Sequence, residues 1–239
     1  MDKKEWIAVL VGVCLLGAGV MAAQAGPTPA GGGAVDPANF TNPVANPYYP
    51  LQPGQVSILR GQDRGQVFNE RIRVTAMTRV IQGVTTTVVR DKLWENGYLA
   101  ERTWDWYAAD NSGNVWYFGE DTESLDEQGN VVSTHGSWEA GVDGAVAGII
   151  MPADPKPTDA YRQELYKGEA EDQAWIVQNH ASRTVPYGQL DNLVHSFEWT
   201  RLEPKVMVEK FFAPGLGLVY ENIAAGGVES LELVDFIAP

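Results

Sequence analysis

Apolar and polar positions alternate along most of this chain, and turn chemistry interrupts the alternation at short intervals. Gln66 to Ile81 sets Val67, Glu70/Ile72, Val74, Ala76 and Thr78 among polar neighbours. Gln82-Gly83 then leads to Val84–Trp94, and Asn96-Gly97 leads to a strand beginning near Leu99. Asn96-Gly97 is a strong two-residue turn signal. Asp126 to Gly129 turns into Val131–Trp138, and a glycine-rich stretch, Gly141–Gly148, leads into Ile149-Ile150-Met151. After the proline-rich Pro152–Pro157 a second set of strands is predicted over Tyr161–Val177, Ser182–Val185, Leu190–Arg201, Val206–Phe212, Leu218–Asn222 and Glu229–Phe236. No long segment carries a 3.6-residue period; Gly168–Gln178 is the one helix candidate, and its Trp175-Ile176-Val177 favours a strand. The pattern predicts an all-β protein with little helix. Its architecture is a single large curved antiparallel sheet, a meander of half-barrel or barrel-like form that curls to protect its edges.

The aromatic-dense runs Leu99–Tyr107 and Asn114–Thr122 flank Asp110-Asn111-Ser112-Gly113 and predict one hairpin. A three-residue loop with Gly113 in the left-handed position puts Tyr107 opposite Tyr117, Trp106 opposite Phe118, Asp105 opposite Gly119 and Thr103 opposite Asp121. Strand parity then groups Trp104, Trp106, Trp116 and Phe118 with Glu120 on one face. Tyr107, Tyr117, Asp105, Asp121 and Glu101 fall on the other.

Residues 1–25 read as a signal peptide: Lys3 and Lys4, the apolar run Ile7–Met21, then Ala23-Gln24-Ala25. Cys14 lies inside the apolar run behind Val13, which argues against lipidation, and no stable membrane span is expected after processing. Residues 26–46, rich in Pro, Gly and Ala, are expected to be a flexible arm, leaving 47–239 as the β domain. The expected location is periplasmic or extracellular.

The chain carries a formal net charge of −14, and Cys14 is its one cysteine. Removal of the leader leaves no disulfide, thiolate metal site or thiol nucleophile. The negative charge argues against nucleic acid and against anionic membrane surfaces as partners. His135, His180 and His195 show no metal-ligand spacing, and no nucleophile elbow or phosphate loop is present.

Three chemistries remain. Clustered oxygens at Glu101, Asp105 and Asp121 suit a hard cation, so calcium is the one cofactor considered. Glu120 among tryptophans, with Glu139 and Glu198 as further candidates, would be a desolvated acid for glycoside cleavage. Trp104, Trp106, Tyr107, Trp116, Tyr117, Glu120 and Trp138 are the candidate contacts for a small apolar molecule or a glycan.

The run Asp105–Thr122 (DWYAADNSGNVWYFGEDT) resembles a family of uncharacterised exported bacterial proteins. Asn46–Gly54, Gly136–Gly141, Gly148–Pro152, Glu169–Ala174 and Phe211–Val219 resemble it too. The resemblance implies a large curved antiparallel sheet of the carrier-like half-barrel kind and carries no catalytic residues. The expectation is therefore an exported β-sheet binding protein in the cell envelope or secreted, and not an enzyme. A carboxylate-based enzyme acting on an extracellular glycoside and a structural envelope component are the alternatives.

Overall fold

The computed structural model describes residues 35–239 apart from residues 64 and 228. The predicted signal peptide and the first part of the predicted arm lie outside the described residues. The strands are β1 (Val56–Asp63), β2 (Gln66–Ile81), β3 (Val84–Glu95), β4 (Tyr98–Ala109), β5 (Val115–Leu125), β6 (Val131–Ser133), β7 (Trp138–Glu139) and β8 (Val146–Met151). The second half adds β9 (Ala160–Arg162), β10 (Glu164–Leu165), β11 (Gln173–Val185), β12 (Gly188–Trp199), β13 (Met207–Ala213), β14 (Gly217–Ala225) and β15 (Ser230–Ile237). One short 3-10 turn, Pro37–Phe40, precedes them. The helix candidate is resolved as strand: β11 begins at Gln173, and its long ladder with β12 uses the β-forming Trp175 and Ile176.

All strands belong to one antiparallel sheet of order β10-β8-β5-β4-β3-β2-β1-β15-β14-β13-β12-β11-β9, with β6 and β7 also on β5. Gln82 and Asn96 take left-handed φ values of 49° and 47° at the two predicted hairpin turns, as tight hairpins matched to strand twist require. The first strand pairs with the last, β1 with β15, so the two halves form one unit and the proline-rich break divides nothing.

The two ends of the sheet, β9 and β10, are consecutive in the chain and separated by Gln163 alone. The sheet is not closed, but it curls until its ends meet there. Gly148 on β8 permits the contact, since a Cβ at that position would stand 2.3 Å from the Gln163 carbonyl oxygen. Two apolar clusters pack against the sheet. One gathers Val74, Val88, Phe118, Met151 and Ile176; the other gathers Leu59, Phe68, Leu93, Leu193, Leu231 and Leu233.

Candidate functional site

The β4–β5 hairpin pairs as predicted near its tip and differently below it. Ala109 opposes Val115, Ala108 opposes Trp116, and Tyr107 opposes Tyr117; Asp105, however, faces Glu120, and Thr103 faces Thr122. One extra residue on β5 makes a bulge at Gly119, where φ is 128°. Strand β7 runs against this point so closely that a Cβ there would lie 2.2 Å from the Trp138 carbonyl oxygen. Glycine alone fits, and the bulge inverts side-chain parity for the rest of β5.

That inversion corrects the predicted faces. Glu120 is buried at 3% exposure on the inner face with Asp105, Tyr107 and Tyr117, while Asp121 is exposed on the outer face. The expected calcium trio is therefore split: Glu101 and Asp105 point inward and Asp121 outward. Among the described residues no group of three or more His, Cys, Asp or Glu side chains is arranged to hold a metal ion. Trp104, Trp106 and Trp116 do not keep company with Glu120. Guanidinium groups lie over Trp104 and Trp106, and Trp116 donates from Nε1 to Asp110 at 3.0 Å. Trp138 is buried and donates from Nε1 to Glu164 at 2.8 Å, its ring edge-on to Tyr117.

Inside the curl lies a cavity of about 160 Å³ whose lining comes from strands on both halves of the chain. Its walls hold eight carboxyl groups, those of Glu70, Asp91, Asp105, Glu120, Glu164, Asp172, Glu198 and Glu221, and one lysine, Lys210. Tyr49, Tyr107, Tyr117 and Phe212 supply aromatic surface, with Tyr107 stacked on Tyr117 at 4.6 Å. Tyr117 donates its hydroxyl to Asp105 at 2.7 Å.

Lys210 Nζ sits 2.9 Å from a Glu198 oxygen and 3.4 Å from Glu221. Burial alone would lower its pKa, but Glu198 and Glu221 outweigh that and hold it well above the usual lysine value. Desolvation pushes the acids the other way. Asp91 and Asp172 rise to about 6, and Asp105 and Glu221 to about 7. Glu70, Glu120 and Glu164 are raised well above the ordinary range by burial, reinforced by neighbouring carboxylates. Glu70 and Asp91 each keep a buried carboxyl oxygen without a hydrogen-bond partner, and the neighbouring Asp91 charge adds to burial in raising Glu70. Glu101, one step from the cavity at 3% exposure, is likewise raised by burial, and its Oε1 has no hydrogen-bond partner. At the seam of the sheet Gln163, 3% exposed, lines the cavity with an Nε2 that has no partner.

A strap closes over this site. Asn46 donates to the carbonyl oxygens of Gly113 (2.8 Å) and Pro152 (2.9 Å), and Gly215 N–H donates to Pro47 O at 2.7 Å. The chain thus crosses from the β4–β5 turn to the β13–β14 turn and sets the Tyr49 ring edge-on to Tyr107 at 5.1 Å. Within residues 35–46, part of the expected arm, the chain is largely exposed but anchored at single residues: Phe40 meets Trp116 and Phe118 on the outer face, and Asn46 is buried. The composition of that stretch hid single anchoring residues such as Asn46.

Most of the cavity's acids escaped sequence reasoning, although a signal was present. Glu70 shares parity with Ile72 and Val74, Asp91 with Val89 and Leu93, and Glu221 with Val219 and Ile223. A carboxylate on the apolar phase of a strand faces inward with its neighbours. Lys210 carries the same mark between Val208 and Phe212, whereas Gln163 lies between two strands rather than on one.

No family model and no curated relative matches the chain. Solved structures with a similar backbone include a protein from Bacteroides fragilis described as exported and of YmcC-like fold. It is 13% identical, with 81% of this chain and 100% of that chain covered and a TM-score of 0.47. A protein from Parabacteroides distasonis described as a lipoprotein is 12% identical, with the same coverage and a TM-score of 0.43.

Proposed function

We propose that this chain is an exported binding protein that holds a small hydroxylated ligand, of the saccharide class, in the cavity inside the curled sheet. The observation that carries this reading is the unsatisfied polar lining: an orphaned Gln163 donor faces the same space as buried carboxyl acceptors and tyrosine rings. Sugar hydroxyls donate and accept at once, which matches such a wall better than an apolar molecule or a simple cation does. Each buried polar group left unpaired costs roughly 1–3 kcal/mol, so a ligand that completes the set recovers that cost. A cavity of about 150 Å³ is known to admit a benzene-sized ring, which limits the enclosed part of the ligand to about one sugar. Export is inferred from the leader-like residues 1–25.

Calorimetric titration of the purified protein with glucose, galactose and N-acetylglucosamine tests the proposal. Saturable binding by at least one, weakened tenfold or more by Gln163→Leu, is expected. Binding of butylammonium with proton release, and of none of the sugars, would show that the acids serve a cation instead.

Asp105 directly opposite Glu120 favours a second reading, a carboxylate pair that cleaves a glycoside. Turnover of aryl glycosides abolished by Glu120→Gln would establish it; binding without turnover leaves the first reading in place.

A further inference from the structure

Five cations, Arg71, Arg73, Arg90, Lys92 and Arg102, cluster on the outer surface of β2, β3 and β4 of a protein whose net charge is −14, with Arg79 farther along β2. Arg73 stands directly opposite Arg90, and Lys92 directly opposite Arg102; the unbroken register between Glu70 and Arg73 also sets Arg71 opposite Lys92. Like charges facing each other across strands destabilise a sheet. Among the described residues, Arg102 alone of the five is ion-paired, to Glu123. Lys92 is lowered from its usual pKa by partial burial and by the charges of Arg90, Arg102 and Arg71. The half-buried Trp94 and Trp104 sit within this group: Arg90 and Arg102 each lie 5.6 Å from the Trp104 ring, and Lys92 lies 5.9 Å from Trp94.

We propose that this face is a docking surface for an acidic polysaccharide, a polymer bearing carboxylates on successive sugars. Guanidinium groups recognise carboxylates through paired, directional hydrogen bonds, and the indoles offer apolar surface to the C–H faces of sugar rings. The edge of the band selects the partner. The band crosses β2, β3 and β4, continues at the exposed Arg60 on the same phase of β1, and is bounded on β5 by the exposed Asp121 and by Glu123. A single polymer chain fits such a band. A flat anionic bilayer or a nucleic-acid duplex would press on the flanking carboxylates as well. The surface lies on the opposite side of the sheet from the cavity, so this inference does not rest on the proposed sugar pocket.

Affinity electrophoresis of the purified protein through gels containing polygalacturonate tests it, with neutral dextran as control. Retardation by polygalacturonate alone is expected, weakening steeply as salt is raised. Arg90→Gln/Lys92→Gln/Arg102→Gln should lower the affinity at least tenfold with little change in Tm, because the repulsion removed offsets the lost Arg102–Glu123 pair. Arg90→Lys/Arg102→Lys keeps the charge and should retain part of the binding. Gln163→Leu should leave the retardation unchanged. Undiminished binding by the triple variant, or binding insensitive to salt, overturns the proposal. So does tighter binding to phosphatidylglycerol vesicles or to a DNA oligonucleotide than to polygalacturonate. Should the triple variant fail to fold, Lys92→Gln alone must still weaken retention, and its failure to do so is equally decisive.

Discussion

On the outer face of β2–β5, basic side chains lie along tryptophan rings with their charged heads toward water, whereas on the inner face Glu70, Asp91, Asp105 and Glu120 are shut away from it. The same strands carry both sets, one residue apart. On the outside the basic side chains reach solvent, and the indoles gain cation–π contact without desolvating the cation fully. On the inside, the water that would solvate a carboxylate is gone and Lys210 is the one basic group in the lining. There the proton takes the place of the counterion. The faces therefore differ in solvation, and on the inner face burial moves the carboxyls toward their protonated form.

The largest expected effect follows from that difference. The inner carboxyls have folded pKa values raised above the ordinary range of about 4, so the folded state holds more protons than the unfolded one. Their contribution is fully present below pH 4 and is lost as pH rises through about 6 to 7. Stability should fall by on the order of 5 kcal/mol between pH 5 and pH 8, read as a declining Tm. A flat or rising Tm over that range would mean that the inner acids are solvated and the two faces alike. Asp105→Asn should raise Tm at pH 8 and do little at pH 5.

Next is the single cation of the inner face. Lys210→Met removes the partner of Glu198 and Glu221, and breaking a buried charge cluster in this way costs about 3–5 kcal/mol. The deficit should be greatest at pH 8 and narrow at pH 5, where Glu221, with a pKa of about 7, is protonated. An equal deficit at both values would mean that Lys210 acts through packing alone.

The boundary between the faces can itself be moved. Gly119→Ala places a Cβ against the Trp138 carbonyl oxygen at a φ of 128°, and strain of this kind costs about 1–3 kcal/mol. If the bulge relaxes, Glu120 and Asp121 exchange faces, and amide exchange along β5 should rise from Gly119 to Thr122. Wild-type exchange rates there would show that the bulge is held by something other than β7.

How far these features were legible in the sequence follows the range of the interactions that make them. The sheet, its antiparallel order and the turns at Gln82 and Asn96 depend on local alternation and local turn chemistry, and they were read correctly. So was the Tyr107–Tyr117 pair near the hairpin tip. The register below it was not, because the bulge is imposed by β7, which returns to β5 from later in the chain. One residue of slip moved Glu120 into the cavity and Asp121 out of it, and it separated the tryptophans from the acid they were thought to surround. Of the residues singled out in the sequence, Asp105, Tyr107, Tyr117, Glu120 and Glu198 line the cavity; that they share one space with Gln163 and Asp172 required knowing that the sheet curls until β9 and β10 meet.

The smallest effect belongs to the outer face and tests its half of the comparison. Arg79 lies 4.2 Å from the Trp106 ring and pairs with Glu139, with its side chain 48% exposed. Solvent screens that pair, and an exposed cation–π contact adds little more, so Arg79→Gln should cost only about 0.5–1 kcal/mol. For a domain of this size that is a fall in Tm of about 1–4 °C. The cost should be the same at pH 5.5 and pH 8, since an arginine does not titrate there, and it should shrink in 0.5 M salt as the ion pair is screened. A double-mutant cycle with Glu139→Gln should return a coupling below about 1 kcal/mol. A cost of several kcal/mol, insensitive to salt, would mean that Arg79 is desolvated like Lys210, and the contrast between a wet outer face and a dry inner one would not hold at that position.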